Sequence, residues 1–329
     1  MLSLTLPSCG TAASSPTVRS SALAQWHPAV GVPGVVDLST PRRDGQVTVA
    51  ANGRLELLRG GALVSFARGP GGYTASPGDE PYVALSSGRR LPRLGCSFGQ
   101  DAIYALKLGV RQGIVAVDAR GRASLFVDLP SDPVLTGITF DTTGRFGGRL
   151  LVIANGVRAM SVFAIDCRRH VALLTSAAPK AEGGIAVAPR SFGAFAGDLI
   201  APDENSGRIY AIAPNGAARP LAVSDLAHGG DVGVESLGFV PRGLPAGWTA
   251  LVADRGTPGN PHPGDDSILG LPSAALRLQG VQPGDLLVAS EGGSQTDAIR
   301  CARQCDVRHV ADGPSRAHVE GHIVFARER

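Results

Sequence analysis

The sequence predicts an all-β chain folded as a six-bladed β-propeller closed by strands from both chain ends. Three observations predict it: dense turn punctuation, a repeating strand–turn–strand unit, and the spacing of its copies. The 329 residues include 44 glycines and 24 prolines spread along the whole length, and no long stretch has a helical period. Such punctuation suits many short strands joined by turns. With 43% hydrophobic and 18% charged residues there is ample apolar material for one large core.

The unit is clearest from Leu199 to Gly216, where a strand, a polar loop and an alternating strand end on Asn215-Gly216. Asn-Gly between alternating strands is a strong hairpin signal, because both residues tolerate positive φ. Leu150 to Cys167, Asp101 to Gly121 and Val47 to Gly60 echo the pattern. Ahead of most units stands a further short strand: Glu80 to Leu85, Thr136 to Phe140, Glu182 to Val187, Glu235 to Phe239 and Glu320 to Phe325. Copies ~50 residues apart match a four-stranded propeller blade. Blades are expected to begin near Tyr82, Gly137, Gly184, Ser236, Ala274 and His322. The last has one strand before the chain ends, so its others are expected from Val47 to Ala67, closing the ring and hiding its edges.

Residues 1–28 are expected to be a leader or flexible tether, and residues 29–329 a single propeller domain. Leu6-Pro7-Ser8-Cys9 resembles a lipobox, with Cys9 as the lipidation site, although the basic segment of a signal peptide is missing. Of the other four cysteines, the close pair Cys301 and Cys305 suits a local disulfide and an oxidising compartment. The expected location is therefore extracellular or the cell envelope. A net charge of +3 with scattered arginines argues against a nucleic-acid partner. No apolar run reaches the ~18 residues that cross a bilayer as a helix. A monomer with a small-molecule ligand or substrate is expected. Gly95-Cys96-Ser97-Phe98-Gly99 matches the serine-hydrolase elbow, but a strand follows it where the elbow needs a helix.

The Glu-Gly-x-Ile-x-Val strand at Glu182, with Leu199-Ile-Ala-Pro-Asp203 followed by Gly207-Arg-Ile-Tyr210, resembles the six-bladed SMP-30/gluconolactonase and NHL-type propellers. The likeness runs from about Val35 onward. It implies a divalent metal, usually calcium, held in the central channel by Glu, Asn and Asp, and hydrolysis of lactones or phosphoesters. Other members catalyse condensation or elimination, or only bind partners. The complete four-ligand pattern of the lactonases is not found here.

In a propeller, the start of each innermost strand and the loop after each second strand open on one mouth. Those positions supply Glu80, Glu182, Glu235 and Glu320, and then Asn52, Asn155, Asp203 with Asn205, Asp254 and Glu291. The set is rich in hard oxygen donors, which suits calcium. Carboxylates crowded at one mouth repel one another, and a cation relieves that. Glu182, Glu235, Asp203 and Asn155 are the expected metal ligands. His228 and His318, with Glu320, are the expected catalytic groups, and His322 is a further candidate at the mouth. The expected activity is calcium-dependent hydrolysis of a small lactone or ester. A non-catalytic extracellular propeller that binds a sugar, peptide or protein, and a metal-free biosynthetic enzyme using a channel Glu, are the alternatives.

Overall fold

The computed structural model describes residues 22–76 and 78–327. It is nearly all β, and its strands form a propeller-like ring. Four sheets among the described residues have four strands each, in chain order from the inside outward. Sheet I comprises Val35–Leu38, Val47–Ala51, Arg54–Arg59 and Ala62–Phe66. Sheet II comprises Val83–Ser87, Gln100–Lys107, Gly113–Val117 and Ala123–Asp128. Sheet III comprises Val134–Phe140, Leu150–Asn155, Met160–Ile165 and Val171–Ala178. Sheet IV comprises Ala186–Val187, Leu199–Asp203, Arg208–Ile212 and Ala218–Val223. Burial falls from the middle of a sheet outward, as Leu150–Asn155 and Val171–Ala178 show. Strands enclosed on both faces read as continuous apolar runs, and outer strands alternate.

Apart from a two-stranded ribbon, Arg90–Leu91 with Cys96–Ser97, the remaining strands among the described residues form one nine-stranded sheet with an unexpected order. Val234–Phe239 pairs with Leu286–Ser290, and the intervening hairpin, Trp248–Asp254 with Ser267–Pro272, pairs elsewhere. That hairpin joins the C-terminal strand Val319–Arg327 on one side and His27–Gly31 on the other. The chain then returns through the helix Ser273–Leu278 to Leu286–Ser290, Thr296–Cys301 and Cys305–Asp312, with Ala24–Gln25 at the edge. A single parallel pair, Leu237 with His322, joins the two halves.

Three expectations are corrected. Ala274 lies in a helix rather than opening a blade. The residues Val47 to Phe66 belong to sheet I, and the C-terminal strand takes its partners from 248–272 instead. The ends do meet in one sheet, with the C-terminal strand inside and His27–Gly31 outside, so the folded part begins before residue 29. The reason is that a hairpin's sequence reports its local turn and not its lateral neighbour. Cys9 lies outside the described residues.

Hydrophobic clusters sit at every junction around the ring. Sheets I and II share Leu55, Ile103 and Val117, and sheets II and III share Phe98, Tyr104 and Ile138. Ile153 and Leu199 pack between III and IV, and Ile209 and Val288 between IV and the next strands. Val49 packs with Ala253 and Val324, which closes the circle. Two disulfides lie within it, Cys96–Cys167 and the expected Cys301–Cys305.

Candidate active site

The innermost strands carry acids at or just before their first residues, and the ring brings these acids together. Glu235, Glu291 and Glu320 are 4%, 4% and 3% exposed, and His318 is 2% exposed. Glu80, Glu182 and Glu204 lie above them, half-buried. His318 Nε2 reaches Glu291 Oε1 at 3.1 Å and Glu320 Oε1 at 3.4 Å. Arg255 Nη1 donates to Glu320 Oε1 at 2.7 Å and also to Glu80. The Tyr82 hydroxyl donates to Glu235 Oε1. Gly183 makes the crowding feasible: it has φ +81°, and a Cβ there would lie 2.3 Å from Glu235 Cγ.

The electrostatics follow from the packing. Burial, with the charges of Glu320 and Glu291, holds the Glu235 carboxyl well above the usual range, and a hydrogen bond with Glu291 adds to this. Burial, with Glu80 and Glu204 beside it, raises Glu182 to about 8. Burial and the charge of Glu291 raise Glu204 to about 7. Burial alone would lower His318, but hydrogen bonds to Glu291 and Glu320 outweigh it and raise the imidazole to about 9. His318 is therefore a cation at neutral pH, suited to donating rather than accepting a proton. Six glutamates thus face two cations, Arg255 and His318.

Among the described residues, two sets of side chains have ligand atoms within 4.8 Å of one another: Glu204, Glu235 and Glu291, and then Glu291, His318 and Glu320. Glu291 Oε2 and Glu320 Oε2 are buried without a hydrogen-bond partner. Buried polar atoms are rarely left so. Free lone pairs, hard oxygens and excess negative charge together fit a divalent cation.

Of the sequence-predicted residues, the structure gathers Glu80, Glu182, Glu235, Glu291, His318 and Glu320. Asp254 stands just behind them and accepts hydrogen bonds from His318 N, Asp265 N and Ser267 Oγ, which fixes the loop that carries His318. The others are turned elsewhere. The Asp203 carboxylate bonds within its own turn, to Asn205 N and Ser206 Oγ, and the exposed Asn205 touches Glu204 through its amide. Asn155 Oδ1 accepts from Ala181 N. Asn52, with φ +48°, is an exposed turn residue, and His228 is exposed beside Gly207.

His322 lies deeper, below the mouth. Its Nδ1 donates to Asp37 at 3.0 Å and its Nε2 to the Ile185 carbonyl at 3.2 Å. Asp37 also accepts from Val83 N at 2.7 Å and from His322 N. Beside this pair a Cβ on Gly184 would lie 2.2 Å from Gly321 O, so inner strands touch across the axis. The channel is plugged at mid-depth. Sequence reasoning missed Glu204, Tyr82 and Arg255, although Glu204 and Arg255 each follow a residue it singled out.

Comparison with protein families finds none that matches, and comparison with curated proteins finds none either. Solved structures do match in fold. A gluconolactonase from Xanthomonas campestris superposes with TM-score 0.50 at 11% identity, covering 90% of this chain and 80% of that one. A luciferin-regenerating enzyme gives 0.50 at 9% identity, covering 85% and 78%. An auxiliary nutrient binding protein from Bacteroides thetaiotaomicron gives 0.51 at 11% identity, covering 91% and 67%. The chain thus has the fold of the gluconolactonase-like propellers. None of its described helices is long and apolar enough to cross a membrane.

Proposed function

We propose that this gluconolactonase-like propeller is a six-bladed hydrolase of a small lactone or ester, dependent on calcium and working at the carboxylate mouth. The count of six takes the nine-stranded sheet as two blades that share one parallel pair. The observation that carries the function is the convergence of Glu204, Glu235 and Glu291 on one point, with the unpartnered Glu291 Oε2 beside them. These three would hold the cation, with water completing its shell. Bound there, calcium would supply Lewis-acid polarisation of the substrate carbonyl and lower the pKa of a coordinated water.

This chain's residues supply the rest. Glu182 lies half-buried at the rim with a pKa of about 8, matched to taking a proton from water near neutral pH. The imidazolium of His318, clamped between Glu291 and Glu320, places positive charge beside the site where a carbonyl oxygen gains negative charge. Arg255 fixes Glu80 and Glu320, and Tyr82 fixes Glu235. The two disulfides favour an oxidising compartment and hence export.

Hydrolysis of γ- and δ-lactones and of p-nitrophenyl acetate, with calcium and with chelator, tests this. Calcium-dependent turnover is expected. Glu182→Gln is expected to lower kcat by about 10²–10⁴ while leaving calcium binding in place. Turnover unchanged by chelator rules out the metal-dependent hydrolase.

A second reading rests on the same ring without a cation. Arg255 and His318 already balance part of the negative charge, and Glu235, whose carboxyl is held well above the usual range by burial and its neighbours, accepts from Tyr82. A metal-free mouth of this kind would serve acid–base chemistry or bind a cationic ligand. Calcium binding without turnover would favour a non-catalytic binding protein.

A further inference from the structure

The opposite end of the channel is built from different chemistry. Below the Asp37–His322 plug is a cavity of about 360 Å³ lined by Leu85, Phe140, Phe239, Trp248 and Phe325 among others, with His322 in its wall. Thr40, Pro41, Leu85, Phe140 and Thr142 also line a second cavity of about 480 Å³, which reaches Arg42, Arg43 and Arg89. Arg89 and Gly148 then line a third, of about 670 Å³, with Arg90, Arg93, Arg145 and Arg149. The apolar chamber, the middle cavity, which Asp101 and Asp141 also line, and the arginine cleft thus lie in a row, each sharing wall residues with the next.

The cleft is strongly cationic. Among the described residues, no Asp or Glu lines it. Among the described residues, none of its five arginines has a carboxylate partner. In a chain whose net charge is only +3, that is a marked segregation from the acidic mouth. Arg42, in the middle cavity, is 9% exposed; it has Asp44 3.7 Å from its Nε, donates through Nη2 to the Ala119 carbonyl and stacks on Phe66, while its Nε and Nη1 make no hydrogen bond. The guanidinium groups of the cleft, with no carboxylate beside them, suit carboxylate or phosphate oxygens, which they bind in bidentate fashion. The wall of aromatic and aliphatic side chains suits a hydrocarbon chain.

We propose that this face is a second ligand site, which binds a single-chain anionic amphiphile. The alkyl chain lies against Phe140, Phe239 and Trp248, and the carboxylate or phosphate head sits among Arg89, Arg93, Arg145 and Arg149. Because the plug separates the two ends, this ligand is not the substrate of the carboxylate mouth. The proposal stands whether or not that mouth is hydrolytic.

Tryptophan fluorescence tests it directly. The chain has two tryptophans; Trp26 is 2% exposed and bonded to Thr296, so contact quenching or a spectral shift reports Trp248. The full chain is titrated below the micellar range with decyl phosphate, decanoate, decanol and decyltrimethylammonium. The two anions are expected to bind at least about tenfold more tightly than decanol, and the cation more weakly still. Whichever of decyl phosphate and decanoate binds more tightly identifies the head group. In Arg93→Glu/Arg145→Glu, both exposed surface positions, the advantage of the anions over decanol is expected to vanish while decanol binding persists. Equal affinity for anionic and cationic heads, or no response of Trp248, overturns the proposal. Binding to phosphatidylglycerol vesicles without binding to monomeric decyl phosphate also overturns it, in favour of a membrane-docking face.

Discussion

The two ends of the same inner strands are opposites. Around Glu182, Glu235 and Glu320 the strands begin with acids crowded into a buried ring, whereas Val187, Phe239 and Phe325 at or near their far ends line an apolar chamber. Between them lies the Asp37–His322 pair, which ties the sheet I inner strand to the C-terminal strand, to Val83 and to Ile185. The difference teaches where the fold stores instability. The apolar end gains from burial, while the acidic end holds like charges close together and is poised for chemistry. The plug lets both exist on one axis.

The largest effect is expected at the plug. Asp37→Ala removes the acceptor of Val83 N, His322 N and His322 Nδ1 and leaves these donors unpaired in the packed interior, so it should cost about 3–5 kcal/mol. Denaturant unfolding measures it, and a loss below 1 kcal/mol would show that the plug is not what joins the two ends. The pH dependence has a definite sign. Burial would lower His322, but Asp37 outweighs it and raises its pKa. Its stabilising contribution is therefore complete below the ordinary histidine value and lost as pH rises through the raised folded value.

Next in size is the far face, held by the disulfide Cys96–Cys167 across a separation of 71 residues. Removing it with Cys96→Ser/Cys167→Ser should cost about 4 kcal/mol, because it closes a long loop. Removing Cys301–Cys305, only four residues apart, should cost about half as much. Melting of the two double variants checks the order. Equal losses would mean that strain or local packing outweighs loop length.

A smaller effect is expected at the acidic end. In metal-free protein, Glu182 and Glu204 have folded pKa values of about 8 and 7, above the usual 4.5. A raised carboxyl binds its proton more tightly in the folded state, so stability falls as pH rises from 4.5 to about 8. Thermal melts across that range should show the decline, and calcium should flatten it. A pH profile that calcium leaves unchanged would place the ion away from this ring.

The ring of strands was legible in the sequence because Asn-Gly turns and alternation are local. So were Glu80, Glu182, Glu235, Glu291, His318 and Glu320, which stand where strands begin or second strands end. The rest was hidden by parity and by distance. At the end of Leu199–Asp203 the turn-forming Asp203 folds back on Asn205 and Ser206, and the next residue, Glu204, faces the mouth instead. Arg255 likewise follows Asp254, whose carboxylate is spent on the loop that carries His318. The exchange of the 248–272 hairpin between the two halves of the nine-stranded sheet is a long-range choice, and no local signal marks it.

The most direct test of the central claim is the calcium-induced rise in melting temperature of the wild type and of Glu291→Gln. Glu291 belongs to both sets of candidate ligands, and glutamine keeps its shape while removing a charge. Calcium at a hundred times its Kd should stabilise the wild type by about 2.7 kcal/mol. Glu291→Gln should lose most of that response, and the exposed far-side control Asp306→Asn should keep it. If the wild type and Glu291→Gln respond equally, the ion binds elsewhere. If neither responds, the carboxylate mouth works without calcium.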